Sequence, residues 1–250
     1  MSDLQNLLQF DGETQALAQV SGRLGWDQET MMASGSAEQR GIEIAALEGV
    51  IHARRCNPQV GDWLSNIKPD TADEMIKAQI REIKRSFDRA SKVPGDLAQL
   101  IARTTSTAQG KWAAARADND FPAFVPVLEE VLNLKQQEGQ ALAENADVYD
   151  TMLTDYEPGA TAKKLSTMFG ALRPGLVELR GRILEKDPAV KLRGPFDETT
   201  QMKISTLLAE TYGYDLTRGR IDKAVHPFSS GSGQDVRITT RTDLHDPFNC

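Results

Sequence analysis

The chain has 250 residues, with 36 acidic against 29 basic side chains for a net charge of −7, and is 40% hydrophobic and 26% charged. This is an ordinary globular composition, long enough for a real core, and no run approaches the roughly 20 apolar residues of a membrane-spanning helix. The negative balance argues against a nucleic-acid binder. The opening Met1-Ser2-Asp3-Leu4-Gln5 lacks the basic and apolar regions of a secretory signal. Two cysteines, Cys56 and Cys250, make no disulfide framework, so a reducing cytoplasm is the expected setting.

Most of the sequence reads as helix. Near the N-terminus, Gly25-Trp26-Asp27-Gln28-Glu29-Thr30 joins a first helical segment to a loop. Trp26 is expected to be a core anchor with a hydrogen-bonded indole, and Asp27 and Glu29 to cap or salt-bridge rather than share a helix face. Ser36 and Gln39 form a capping box before Ile42, Ala45, Ala46, Gly49 and Val50; His52, beside Arg54 and Arg55, is read as surface. After Pro69, Thr71 and Glu74 form another box. Ile76, Ile80, Ile83, Phe87 and Ala90 then recur on one helical face until Val93-Pro94-Gly95 ends it, with Asp96 available to cap the next helix.

Asp120 followed by Phe121-Pro122 starts a further helix, since proline is tolerated in the first turn, and Phe124, Val125, Leu128, Val131 and Leu132 share its face. Tyr149-Asp150 through Asp155-Tyr156-Glu157-Pro158-Gly159 forms a turn, with Thr161 capping beyond it. Leu165, Met168, Phe169, Leu172, Leu176, Leu179 and Ile183 make the next stripe, kinked at Pro174, and Met202, Leu207, Leu208 and Tyr212 the last, stopping near Gly213. The pattern then changes. Val225 to Phe228 is short and apolar, Ser229 to Gly233 is a small-residue loop, and Asp235 to Arg241 alternates with period two. Val236, Ile238 and Thr240 face one way, and Asp235, Arg237, Thr239 and Arg241 the other. The expected architecture is mainly α, one helical domain over residues 1–250 with a small β-hairpin at about residues 222–242.

The known catalytic patterns are missing from the sequence: H-E-x-x-H, C-x-x-C, G-x-x-x-x-G-K-[ST] and G-x-S-x-G. Gly231-Ser232-Gly233 is a bare G-x-G without the strand–turn–helix setting of a dinucleotide site. The arginines of the strand's polar face could hold carboxylates, including a peptide C-terminus, or simply be the solvated charges of an edge strand. His226 could be structural or line a site; His245 lies near the chain end.

Taken together, Leu24-Gly25-Trp26-Asp27-Gln28-Glu29-Thr30, Tyr149-Asp150-x-x-Leu153-x-x-Tyr156-Glu157-Pro158-Gly159, Leu172-Arg173-Pro174, His226-Pro227-Phe228 and Asp235-Val236-Arg237-Ile238-Thr239-Thr240-Arg241 resemble, in this order, the thermostable carboxypeptidase (carboxypeptidase Taq) family. The resemblance implies a helical fold like those of the neurolysin and angiotensin-converting-enzyme peptidases, with a deep cleft. It implies zinc-dependent removal of C-terminal residues from peptides with broad specificity, and a homodimer. In that family H-E-x-x-H follows the D-x-R-x-T strand, whereas this sequence stops at Cys250. No catalytic residue and no metal ligand is therefore assigned here, and no zinc is expected on this chain alone. The expectation is an N-terminal portion of such an enzyme, inactive by itself, with apolar patches left exposed where partner helices are missing. The alternative is a zinc-free helical peptide-binding or protein-interaction module. Carried over onto this sequence, His226, Phe228, Asp235, Arg237, Thr239 and Arg241 become the expected substrate-cleft residues. Arg237 either orients the peptide or buttresses the zinc-site helix. Peptides are the expected partners, with neither nucleic acid nor membrane.

Overall fold

The computed structural model describes residues 2–68, 73–188 and 192–247. Helices dominate: α1 (Asp3–Thr30), α2 (Ala37–Arg55), α3 (Pro58–Asn66), α4 (Glu74–Lys92), α5 (Gly95–Ala117), α6 (Phe121–Ala143), α7 (Val148–Leu153), α8 (Ala162–Leu184) and α9 (Glu198–Thr211). Three short strands follow, β1 (Gly219–Lys223), β2 (Ser229–Ser232) and β3 (Asp235–Thr240). No helix among the described residues is long and apolar enough to cross a membrane.

The helix starts follow local chemistry, with differences from the expected caps. Asp120 accepts from the Ala123 amide and Thr161 from that of Lys164, as their positions suggest. Thr71 lies outside the described residues; α4 is capped by Asp73, whose carboxylate accepts from the Ile76 amide at 2.8 Å. Ser36 caps nothing with its side chain. It ends a 3₁₀ turn at φ −97°, ψ 6°, not the extended backbone a capping residue needs, and Gln39 turns instead to Glu43. Asp96 falls inside the first turn of α5, where it accepts from the Leu97 amide. The segment at Gly25 is no loop junction, because α1 continues to Thr30; α8 likewise runs on through Pro174.

The core sits where α1, α3 and α4 meet. Leu7, Val60 and Ile83 are buried there, with Phe10, Trp63 and Phe87 packed around them. Phe10 meets Trp63 edge-on at 5.7 Å and carries the Arg54 guanidinium 3.9 Å above its ring. α2 lies against both α1 and α5, and α6 against α5. A charged group sits inside this bundle. Arg89 donates to the buried Glu138 at 2.8 Å and to both oxygens of Asp155 at 2.7 Å, while Lys135 reaches Glu138 from one turn away. His52, expected on the surface, is half-buried and lines a cavity of about 250 Å³ with Glu48, Arg55, Arg89 and Glu138.

The expected hairpin is present as β2–β3, with Ser230 opposite Arg237. A third strand extends it: β1 pairs in parallel with the far edge of β3, placing Arg220 beside Arg237, so the order is β1-β3-β2. Gly231 makes the tight return possible. It sits at φ +105°, and a Cβ there would lie 2.0 Å from the Asp235 carbonyl oxygen.

Candidate active-site cleft

The C-terminal end of α1 presents Gly22, Gly25, Trp26 and Glu29 at spacings that share one helix face. Facing it, α5 presents Gln109 and Trp112 one turn apart, and the connection from β1 to β2 adds His226 and Phe228. These side chains enclose an open cleft of about 580 Å³. The two glycines make room. A Cβ on either would meet no atom within 4 Å, so a larger side chain would grow into free space.

Polar contacts fix the walls. Gln28 and Ser106 exchange two hydrogen bonds, at 2.8 and 2.7 Å, which pin α1 to α5. One residue along, Gln109 donates to the Glu29 carboxylate. Burial pushes the Glu29 carboxyl above the ordinary glutamate range, against the opposing pull of the Gln109 hydrogen bond and the nearby His226. His226 stands edge-on to Trp112, ring centres 6.4 Å apart. Asp27 takes no part; it is held by Arg40 at 2.6 Å.

The expected site residues divide into two groups. His226 and Phe228 line the cleft together. Asp235 and Arg237 lie outside that wall, on the joint between sheet and helix. Arg237 places its guanidinium 4.1 Å from the Trp26 ring centre and Arg220 follows at 5.0 Å. Arg220 is paired with Asp222 through two 2.7 Å contacts and Arg237 with Asp235, while Arg23 of α1 reaches Asp235 at 2.9 Å. The hydrogen bonds from Arg237 and Arg23 hold the Asp235 carboxyl down to about 2. Thr239 is buried and acts as a clip, its hydroxyl accepting from the Phe228 amide at 2.6 Å and donating to the Phe228 carbonyl at 2.8 Å. Arg241 is half-buried one residue beyond β3.

Trp26 departs from expectation in one respect. It is a buried anchor, 5% exposed, but its indole nitrogen finds no hydrogen-bond partner among the described residues. Its ring faces are used instead, by the stacked arginines. The contributions of Glu29, Gln109 and Trp112 were not singled out from the sequence as a site. The available signal was the i, i+3 run Ser106, Gln109, Trp112 on α5, which does not stand out because Gln99, Arg103, Thr107 and Lys111 form a second regular polar line on the same helix.

The cleft offers one carboxylate and one imidazole as metal-type donors, and among the described residues no group of three such side chains comes together. A zinc site needs at least three protein ligands, so this arrangement does not fit one.

Residues 6–250 match the family described as carboxypeptidase Taq (M32) metallopeptidase. The chain is 34% identical to thermostable carboxypeptidase 1 of Thermus thermophilus across 95% of its own length and 50% of that enzyme. The crystal structure of BsuCP superposes with a TM-score of 0.92 at 23% identity, covering 99% of this chain and 51% of that one. The M32 carboxypeptidase of Deinococcus radiodurans R1 gives 0.79 at 29% identity, with coverages of 99% and 50%. Spanning about half the length of the curated relatives it matches, this chain belongs to the carboxypeptidase Taq family of metallopeptidases.

Proposed function

We propose that this chain supplies one wall of the peptide cleft of a zinc metallocarboxypeptidase that removes C-terminal residues with broad specificity. The observation that supports the reading is the family match over residues 6–250 together with an open cleft at the family's His226-Pro227-Phe228 segment. In this reading His226 and Phe228 meet the peptide. Asp235, Arg237 and Thr239 are positioning residues: the first two lock the sheet onto α1, and Thr239 sets the backbone of Phe228. Arg241 borders the cleft beyond the strand end. The metal, when bound, would supply a water nucleophile at neutral pH, with ligands from outside the described residues. A single helical domain over residues 1–250, a homodimer, and a cytoplasmic setting belong to the same reading and rest on family membership and sequence.

The test is twofold. The purified chain, with and without added zinc, should release no amino acid from the C-terminus of acetyl-Ala-Ala-Phe, yet should bind it. His226→Ala and Phe228→Ala, each with an unchanged circular dichroism spectrum, should weaken that binding at least about tenfold, or about 1.4 kcal/mol. Turnover by the chain alone would overturn the division of labour. Binding insensitive to both substitutions would overturn the cleft assignment.

A further inference from the structure

The cleft has a chemistry of its own that general peptide binding does not require. Three of its walls are aromatic, Trp26, Trp112 and Phe228, and among them sits one carboxylate, Glu29. Gln109 engages one oxygen of that carboxylate. Among the described residues the other accepts no hydrogen bond, and no cationic side chain is paired with either. The arginines nearby are committed elsewhere: Arg237 to Asp235, Arg220 to Asp222, and Arg116 to the Val225 carbonyl. Two of the ring systems already carry guanidinium groups on the protein's own account, Trp26 from Arg237 at 4.1 Å and Trp112 from Arg116 at 5.6 Å.

We propose that this cleft recognises a basic side chain, arginine or lysine, of the bound peptide, its stem against the aromatic rings and its charge on Glu29. The inference rests on the peptide-cleft reading above and adds the class of residue selected. Three occupants can be compared. An acidic side chain would face Glu29 directly. An apolar one would fill the space but strip water from an ionised carboxylate and give nothing back. A basic one satisfies the carboxylate and gains cation–π attraction from Trp112 and Phe228, since the Trp26 faces are taken by Arg237 and Arg220, and its long apolar stem suits those two rings. The direction of the Glu29 shift agrees: burial outweighs the pull of the Gln109 hydrogen bond and of His226.

The test uses the chain itself and two peptides of near-identical shape, acetyl-Ala-Arg-Ala and the same peptide with neutral citrulline in place of arginine, each titrated calorimetrically. The arginine peptide should bind at least tenfold more tightly. Glu29→Gln should abolish that preference, bringing the two peptides to within about twofold of each other. Gly22→Leu fills the cleft from a position whose Cβ meets no atom within 4 Å, so it keeps the fold. It should lower arginine-peptide affinity at least tenfold. Equal affinity for the two peptides, or a preference that survives Glu29→Gln, would each overturn the proposal while leaving the peptide-cleft reading standing; arginine binding unaffected by Gly22→Leu would overturn both. Binding of neither peptide would overturn that reading, and the proposal with it.

Discussion

α1 to α6 and the pair α8 and α9 are patterned alike and finished differently. In the first group the helices bury apolar side chains against one another, Leu7, Ile51, Val60, Ile83, Val127 and Leu134 among them, although Ile42 and Val50 of α2 and Leu132 of α6 stay exposed. In α8, the stripe Met168, Phe169, Leu172, Leu176, Leu179 and Ile183 is just as regular, yet no residue of α8 or α9 is buried, and Leu176 is 60% exposed. Amphipathic periodicity shows that a face calls for a cover; it does not say what covers it. The difference also separates what holds this chain together from what it displays.

Substitutions on the two sides should therefore behave differently. The largest effect is expected at Leu7, which is fully buried. Leu7→Ala should cost about 4 kcal/mol in urea unfolding, from lost transfer energy and the cavity left behind. Leu176→Ala in α8 should cost under about 0.5; a loss above about 1 there would break the comparison.

Arg89 comes next. Arg89→Ala leaves the buried Glu138 with Lys135 alone, for a loss of about 3 kcal/mol, less than a fully buried pair because Arg89 is part-exposed. The dependence on pH sharpens this. Burial would raise Glu138, but the hydrogen bonds from Lys135 and Arg89 outweigh it; the Arg89 hydrogen bond holds Asp155 down. Both carboxyls therefore titrate below their ordinary values of 4.5 and 3.8. The stability they contribute is present above those values and is lost as pH falls through the depressed ones. The gap between wild type and Arg89→Ala should be full at pH 7 and should close below about pH 4. Glu48 is raised by burial and pulled back in part by Arg89, so the substitution raises it further and its titration adds to that difference.

Thr239→Val keeps shape but leaves the Phe228 amide without its hydroxyl partner, an expected loss of about 2 kcal/mol by thermal melting. Peptide binding should weaken as well, since Phe228 lines the cleft. The smallest effect on stability, with a visible effect on behaviour, belongs to α8. Replacing Leu172, Leu176 and Leu179 together by serine should leave the unfolding midpoint nearly unchanged and reduce binding of an apolar dye.

Much of the helical frame was legible in the sequence, because Ile76, Ile80, Ile83 and Phe87 repeat at helical spacing and Asp120 and Thr161 are unambiguous caps. The cap at Ser36 is not legible, since its backbone geometry depends on the preceding turn, which a four-residue pattern does not encode. The third strand is hidden in the sequence because Gly219–Lys223 pairs in parallel with β3, and parallel pairing leaves no hairpin signal between adjacent segments. Within the cleft, His226 and Phe228 are marked by the resemblance, whereas Glu29 and Trp112 lie 83 residues apart in sequence and come to one cleft only through the hydrogen bonds that tie α1 to α5. The polar face of β3 was correctly read as a face, but alternation alone could not tell that it would lie against Trp26.

The joint between Arg23 and Asp235 spans 212 residues of chain. Contacts of such separation carry a large loop-closure cost and are made after local ones. The cleft therefore cannot form until the chain has been made through β3 and α1 and α5 have docked. The same contact is the natural first to open. Hydrogen exchange at β2 and β3 should run ahead of exchange in α1 to α4, so that the recognition surface breathes while the bundle beneath it stays closed.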